Sequence, residues 1–291
     1  MRQPIANKTH YANGITLLDK QFDEIFHHKL GPGALPAPRL NKDGVGKLNA
    51  IIVPHATYDL AGPAAAWSYM ALAEDGVPTD LYILVGQAQH SSQSGTTSQT
   101  FQMPYGEVRT DQNFLRDLIA KGNIKPNDEL HNKESIIEVQ LPFLQFINKG
   151  HAEKIKIVPL ILGPDTNIEE LSIDIKETLL EQKKTAAFIF ITHFTSYGRS
   201  FHYVPFTEHI PENIAATDKK VFDAITAFDK NAFLAAVDET MVPLSGFHPL
   251  RLFFQLLQPD KVLLEQNYLS GDINDDYHTT VSFASIVAKP K

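Results

Sequence analysis

The sequence predicts an α/β fold: a three-layer sandwich with a mostly parallel central sheet and helices on both faces. Two observations carry that expectation. Short apolar runs without polar alternation recur along the chain, as strands covered on both faces require. Stretches with helical periodicity lie between them, which is the order of a sheet built from β–α–β units.

Residues 1–46 are mixed in composition. A helix is expected over Leu17–Leu30, with Phe22, Ile25 and Phe26 on one face. Gly31-Pro32-Gly33-Ala34-Leu35-Pro36-Ala37-Pro38 then reads as a loop. The segment before it is too small to hold its own core. One domain over residues 1–291 is therefore expected, with 1–46 an N-terminal extension packed on it. Ala50–Val53 is the first buried strand, followed by an Ala-rich helix over Pro63–Ala73 with Pro63 in its first turn. Leu81–Val85 is the second strand, and Ile136–Ile147 has helical spacing. A strand over Ile155–Leu162, a helix over Ile168–Leu180 with acids outward, and a strand over Ala186–Ile191 follow. Amphipathic helices are expected over Ile214–Phe228, Ala232–Val237 and Pro249–Leu257, and Thr279–Ala288 closes the chain as a strand.

Of the 291 residues 43% are apolar and 21% charged, the proportions of an ordinary globular protein. Acids outnumber bases by 34 to 26, a net charge of −8. That balance argues against nucleic acid and against an anionic membrane surface, both of which need clustered Lys and Arg. The chain has no cysteine, which removes disulfides, thiolate metal sites and Cys nucleophiles. A metal here would need His and carboxylate. The first ten residues hold no apolar signal-peptide core. Runs such as Phe188–Ile191 are far shorter than a membrane span. The expectation is a soluble, cytoplasmic protein.

Three histidines follow the C-terminal ends of expected strands: His55, His90 and His193. Open α/β sheets bind ligands in the crevice beyond those ends. Three imidazoles converging there would suit iron, copper or zinc; three unrelated loop histidines are the simpler alternative. Ser135-Ile136-Ile137-Glu138 has the form of a helix capping box, which would account for both polar residues. Ser245-Gly246-Phe247-His248-Pro249 reads as a turn into a helix. Its serine would act as a nucleophile only with a base in reach, and a neighbour in sequence such as His248 guarantees no orientation. Gly62 and Gly86 form no phosphate loop or dinucleotide fingerprint. Trp67, Tyr69, Phe253 and Phe254 read as core, and Asp272–Asp276 as a turn without EF-hand spacing.

Several of these segments, taken in order, resemble the Memo family, which includes AmmeMemoRadiSam system protein B. Val53-Pro54-His55-Ala56-Thr57-Tyr58 with Ala61-Gly62-Pro63 is similar to its opening motif. Glu134–Gln140 with Leu141-Pro142-Phe143-Leu144-Gln145 resembles its Glu-His-Ser-Ile-Glu-Val-Gln-Leu-Pro-Phe-Leu-Gln segment. Ile157–Gly163, Ser245-Gly246 with Pro249, Ser270-Gly271-Asp272 and the Tyr11 segment fit as well. The resemblance implies a fold like that of the class III extradiol dioxygenases, and a strand-end pocket of His, Asp and Cys that binds iron or copper in some members. His55 keeps the first family histidine. The second falls on Gln89, with His90 one step along, and the third on Ser135. His193 stands where the family has Asp, Ser196 where it has His, and Ser245 where it has Cys.

The pocket expected from the sequence thus comprises Tyr58, Gln89, Ser135, Glu138, Ser196 and Ser245, with His55, His90 and His193 as metal ligands. Three functions remain open. One is a metal-dependent, oxidoreductase- or dioxygenase-like enzyme using iron, copper or zinc, with Glu138 or Tyr58 as a supporting acid–base group. The second is a non-catalytic binding or scaffold protein that has lost the metal and takes a small-molecule or peptide ligand. The third is a metal-independent hydrolase built on Ser245, although the Gly-x-Ser-x-Gly elbow is missing. Whether the chain is an enzyme is left open by the sequence, and His131 and His248 are further pocket candidates.

Overall fold

A computed structural model describes residues 1–37, 48–75 and 79–290. In chain order the elements are α1 (Ile15–Phe26), β1 (Ala50–Val53), α2 (Tyr58–Asp75), β2 (Leu81–Gln87), β3 (Gly95–Thr96), β4 (Phe101–Met103) and β5 (Gly106–Thr110). They continue with α3 (Gln112–Lys121), α4 (Asp128–Lys133), α5 (Leu141–Ile147), β6 (Lys156–Leu162), α6 (Ile168–Gln182), β7 (Ala186–Ile191) and β8 (Ser196–Tyr197). The last are α7 (Ile210–Thr226), α8 (Lys230–Thr240), α9 (Phe247–Leu256), β9 (Pro259–Leu269), α10 (Gly271–Asn274) and β10 (Thr280–Pro290). Residues 38–46 of the expected N-terminal extension, Pro38 of its loop included, lie outside the described residues.

One mixed sheet runs β4-β5-β6-β2-β7-β1-β10-β8, with β3 on β6 and β9 on β10. Its centre, from β5 through β1, is parallel; β10 joins β1 antiparallel. Successive side chains of a strand point to opposite faces, and both faces here are buried. Ala50 and Ile52 of β1, Ile83 and Val85 of β2, and Phe188 and Phe190 of β7 enter one core. Ile51, Val53, Leu84, Ile189 and Ile191 enter the other. The first core is covered by α3, α6, α7, α8 and α9, through residues such as Leu118, Leu171, Val221, Phe233 and Phe253. The second is covered by α1, α2, α4 and α5, through Phe22, Phe26, Tyr69, Leu130 and Phe143. This is the expected three-layer α/β sandwich. Truncating any of these large buried side chains to Ala would cost roughly 2–5 kcal/mol.

Five strands and most helices fall where the apolar periodicity puts them. The differences have local causes. Helix α1 ends at Phe26 rather than Leu30, because the chain turns back there: Gly33 N–H donates to the Phe26 carbonyl at 2.8 Å. Helix α2 starts five residues before Pro63, which lies inside it rather than in its first turn. The early start is supported from outside the segment, where Tyr58 N–H donates to the carbonyl of His10 at 2.8 Å. The expected Ile136–Ile147 helix is a 3-10 turn at Glu138–Gln140 followed by α5. The capping box is not formed: the turn has no side-chain cap, and Glu138 bonds the N-terminal segment instead. The small strands β3–β5 and β8, the long β9, and α3, α4 and α10 were not expected from the sequence.

Candidate strand-end site

Register brings the site together. β1 and β7 are parallel neighbours, and Val53 pairs with Ile191. His55 and His193 each lie two residues beyond that pair, so they leave the sheet at the same level. Their rings stand 4.5 Å apart, centroid to centroid, tilted by 32°. Both side chains are partly buried.

The third member comes from a distant part of the chain. Ser245 Oγ is 3.0 Å from His55 Nε2 and accepts the His193 N–H at 2.8 Å. Its own N–H reaches the His193 carbonyl at 3.3 Å. Gly246 permits this close seat: a Cβ there would lie 2.3 Å from Thr192 Cβ and 2.6 Å from the Ile191 carbonyl. The single hydroxyl proton of Ser245 has two acceptors in reach, His55 Nε2 at 3.0 Å and the His193 carbonyl at 3.4 Å. It goes to His55 when the ring proton sits on Nδ1, and to the His193 carbonyl when Nε2 is protonated and donates to Ser245 Oγ. Ser196 Oγ completes the group, 3.3 Å from His193 Nδ1.

Burial disfavours the charged form of an imidazole. It holds His55 well below the ordinary 6.5, and His193 and His10 nearby add to the effect. His193 is lowered to about 4 by burial, against a backbone contact at Phe194. Both rings are neutral at pH 7, able to accept a proton or to donate a lone pair.

Of the other expected site residues, Tyr58 lines a small cavity with His55, and the rest lie apart from this group. β2 is separated from β1 by β7, and its loop runs outward. Gln89 and His90 are exposed at its tip, and their N–H groups donate to Glu134 Oε1 at 3.1 and 3.0 Å. Glu138, fully buried, pairs with Arg2 at 2.7 Å. It also accepts the amides of Ile5 and Ala6 and the hydroxyl of Tyr11. All its oxygens thus serve to fasten the first eleven residues. Burial, then the Glu138 charge, pushes the Tyr11 hydroxyl up, so it stays protonated and donates. Tyr58 donates to the Val139 carbonyl at 2.7 Å, and Ser135 offers its carbonyl to Val139 N–H at 3.0 Å. His131 is a core histidine bonded to the Gly95 carbonyl at 3.1 Å, lowered to about 4 by burial. His248 gives its N–H to Gln87 Oε1 at 3.0 Å and makes no hydrogen bond to Ser245. Among the described residues no three His, Cys, Asp or Glu side chains group closely enough to hold one metal ion.

Sequence reasoning missed two residues at the site, Gln140 and His10, and one, Glu134, that shapes the loop apart from it. Gln140 Nε2 donates to the Pro54 carbonyl at 3.0 Å while its Oε1 accepts Tyr69 at 3.0 Å, fixing the turn that carries His55. It also lines, with His55, Tyr58 and Phe143, a cavity of about 10 Å³, near the smallest that holds one water. Glu134 shapes the β2 loop, and His10 approaches His55 from the N-terminal segment. The signal for Gln140 was its place beside Glu138 before an apolar run, which pattern alone does not separate from a helix surface.

The model of the Memo-like protein family matches residues 2–287. The chain belongs to the Memo family. A MEMO1 family protein of Methanopyrus kandleri is 30% identical over 297 residues, covering 98% of both chains. Relatives of the same name in Methanothermobacter thermautotrophicus and Sulfurisphaera tokodaii are 27% and 29% identical, again along nearly the full length of both partners. The resemblance raised the prospect of a metal in the Memo pocket, and the donor chemistry of this Memo chain tests it. Its strand ends supply two imidazoles and a serine hydroxyl. Catalytic zinc takes three protein ligands, and a non-haem iron triad takes two His and a carboxylate. His55 Nε2 is moreover hydrogen-bonded to Ser245. These residues alone do not complete a metal centre.

Proposed function

We propose that this Memo-family chain binds a small polar or peptide ligand at its strand ends, where His55, His193 and Ser245 are partly open to solvent, without a protein-held metal. The observation that carries this is the His55–Ser245–His193 hydrogen-bond set, which engages His55 Nε2 through the Ser245 hydroxyl while His193 joins through its backbone N–H. Ligands of open α/β sheets lodge beyond the strand ends, and neutral imidazoles beside hydroxyls suit an uncharged polar group. Its compartment under this proposal is the cytoplasm, where a cysteine-free chain needs no disulfides. Nucleic acid and membrane are not among the proposed partners, in keeping with the net charge of −8. Among the described residues no helix is long and apolar enough to cross a membrane.

A second proposal has one specific observation in its favour: two neutral imidazoles only 4.5 Å apart. Iron, copper or zinc would be held by His55 and His193, with solvent or substrate supplying the remaining ligands, in a dioxygenase-like oxidoreductase. Elemental mass spectrometry separates the two. Protein purified without chelators and without air, beside His55→Ala and His193→Ala, is expected to carry no stoichiometric metal. About one metal per chain, lost in both variants, would establish the second proposal instead.

A further inference from the structure

Ser245 has the partners of an activated hydroxyl rather than those of a buried structural serine. Its Oγ accepts a hydrogen bond from His193 N–H at 2.8 Å and lies 3.0 Å from His55 Nε2, to which it donates when the ring proton is on Nδ1. A nucleophile and base within that distance form the core of covalent acyl transfer. Ser245 also stands directly before α9, a helix of ten residues with no side-chain cap from Gly246. The amides of Gly246 and Phe247 donate to no acceptor among the described residues. Backbone amides next to a nucleophile are the groups that stabilise an acyl oxyanion. No Lys, Arg, Asp or Glu side chain hydrogen-bonds to His55, His193 or Ser245 among the described residues. The site is therefore matched to an uncharged acyl group.

We infer that Ser245 is a nucleophile for uncharged carboxylic esters, with His55 as its general base. The inference rests on the metal-free pocket proposed above and names the class of ligand it takes. Ser245 Oγ forms a bond to the ester carbonyl carbon, and its proton passes to His55 Nε2. The carbon–oxygen bond to the alcohol breaks, and the alcohol leaves with that proton. Water then gives a proton to His55 and attacks the acyl carbon. The carboxylic acid departs and Ser245 regains its proton. No oxidant or reductant is needed.

No carboxylate orients or supports His55. The reaction is accordingly slower than that of a full triad.

The test is covalent labelling of the folded full chain by an alkyl fluorophosphonate, read by intact mass and peptide mapping. A single adduct on Ser245 is expected. Ser245→Ala should take no label, and His55→Gln should react about a hundred-fold more slowly, in the range of a lost general base. Ser245→Cys provides a check that does not depend on how the alanine variant folds. The natural chain has no cysteine, so position 245 is the only thiol that iodoacetamide meets in that variant, read by peptide mapping. Its alkylation should slow in the His55→Gln background. A folded wild type that takes no label, or a label retained by Ser245→Ala, overturns the inference. Metal analysis of the same batch keeps the two proposals apart. Metal-free, unlabelled protein refutes the nucleophile and leaves the metal-free pocket standing. Stoichiometric metal refutes the pocket proposal itself.

Discussion

Two buried polar clusters sit on the second-core side and at the strand ends of this molecule, and they are built on opposite principles. Around Glu138, a full ion pair with Arg2 is surrounded by donors until no oxygen is unused. Around His55, the groups are neutral, partly open to solvent, and held by single hydrogen bonds. The first arrangement fixes a chain segment and has no bonding capacity left for a ligand. The second keeps lone pairs and a hydroxyl in reach of one. A buried charge is thus the weaker functional marker of the two here, although a carboxylate in a pocket motif is the more conspicuous feature of the sequence.

Breaking each cluster should show the contrast. Glu138→Ala strands the Arg2 guanidinium in the interior and is expected to cost about 3–5 kcal/mol, measured by urea unfolding. Ser245→Ala removes a neutral hydrogen-bonding hydroxyl and should cost about 1 kcal/mol. Equal losses would mean the strand-end group is as structural as the clasp.

Gly246→Ala sharpens the comparison from the packing side. Its methyl group would meet Thr192 Cβ at 2.3 Å and the Ile191 carbonyl at 2.6 Å. The α9 turn must retreat from β7, at an overpacking cost of about 1–3 kcal/mol. The His193 amide should lose its Ser245 partner, visible as faster hydrogen exchange at that amide. An unchanged exchange rate would refute the close-seat account.

Acid should distinguish the clusters through the histidines. His131 and His193 are held near 4, and His55 well below 6.5, by burial. The unfolded chain therefore binds more protons on these groups between about pH 4 and 6.5, and stability falls as pH falls through that window. The slope is roughly 1.4 kcal/mol per pH unit for each histidine. Asp218 opposes part of this. Burial raises it to about 6, so it contributes stability that is present in acid and is lost as pH rises through the same range. Unfolding midpoints from pH 4 to 7 should rise with pH, and His193→Gln should flatten the rise.

The smallest effect is expected at the other strand end. His90 is exposed on the β2 loop, and its backbone N–H, not its ring, meets Glu134. His90→Ala should change stability by less than about 0.5 kcal/mol and leave Ser245 labelling unaltered. A marked loss of either would bring the β2 loop into the site.

Sequence alone determined the layers. Continuous apolar runs at Ala50–Val53, Leu81–Val85, Ile155–Leu162 and Ala186–Ile191 reappear as the buried strands, because a strand covered on both faces leaves no position for a polar residue. It also determined that His55 and His193 stand at strand ends, since each directly follows such a run. Tertiary structure decided which residues meet. Strand order put β7 next to β1 and left β2 outside, so His193 and not His90 joined His55. The partner of Ser245 proved to be a histidine 190 residues away rather than His248, three residues along. Glu138 was drawn to Arg2, 136 residues away, before it could cap its own helix. Local pattern reports the burial of a residue because burial repeats with the period of its element. It does not report side-chain partners, which depend on sheet order, register and the return of distant segments.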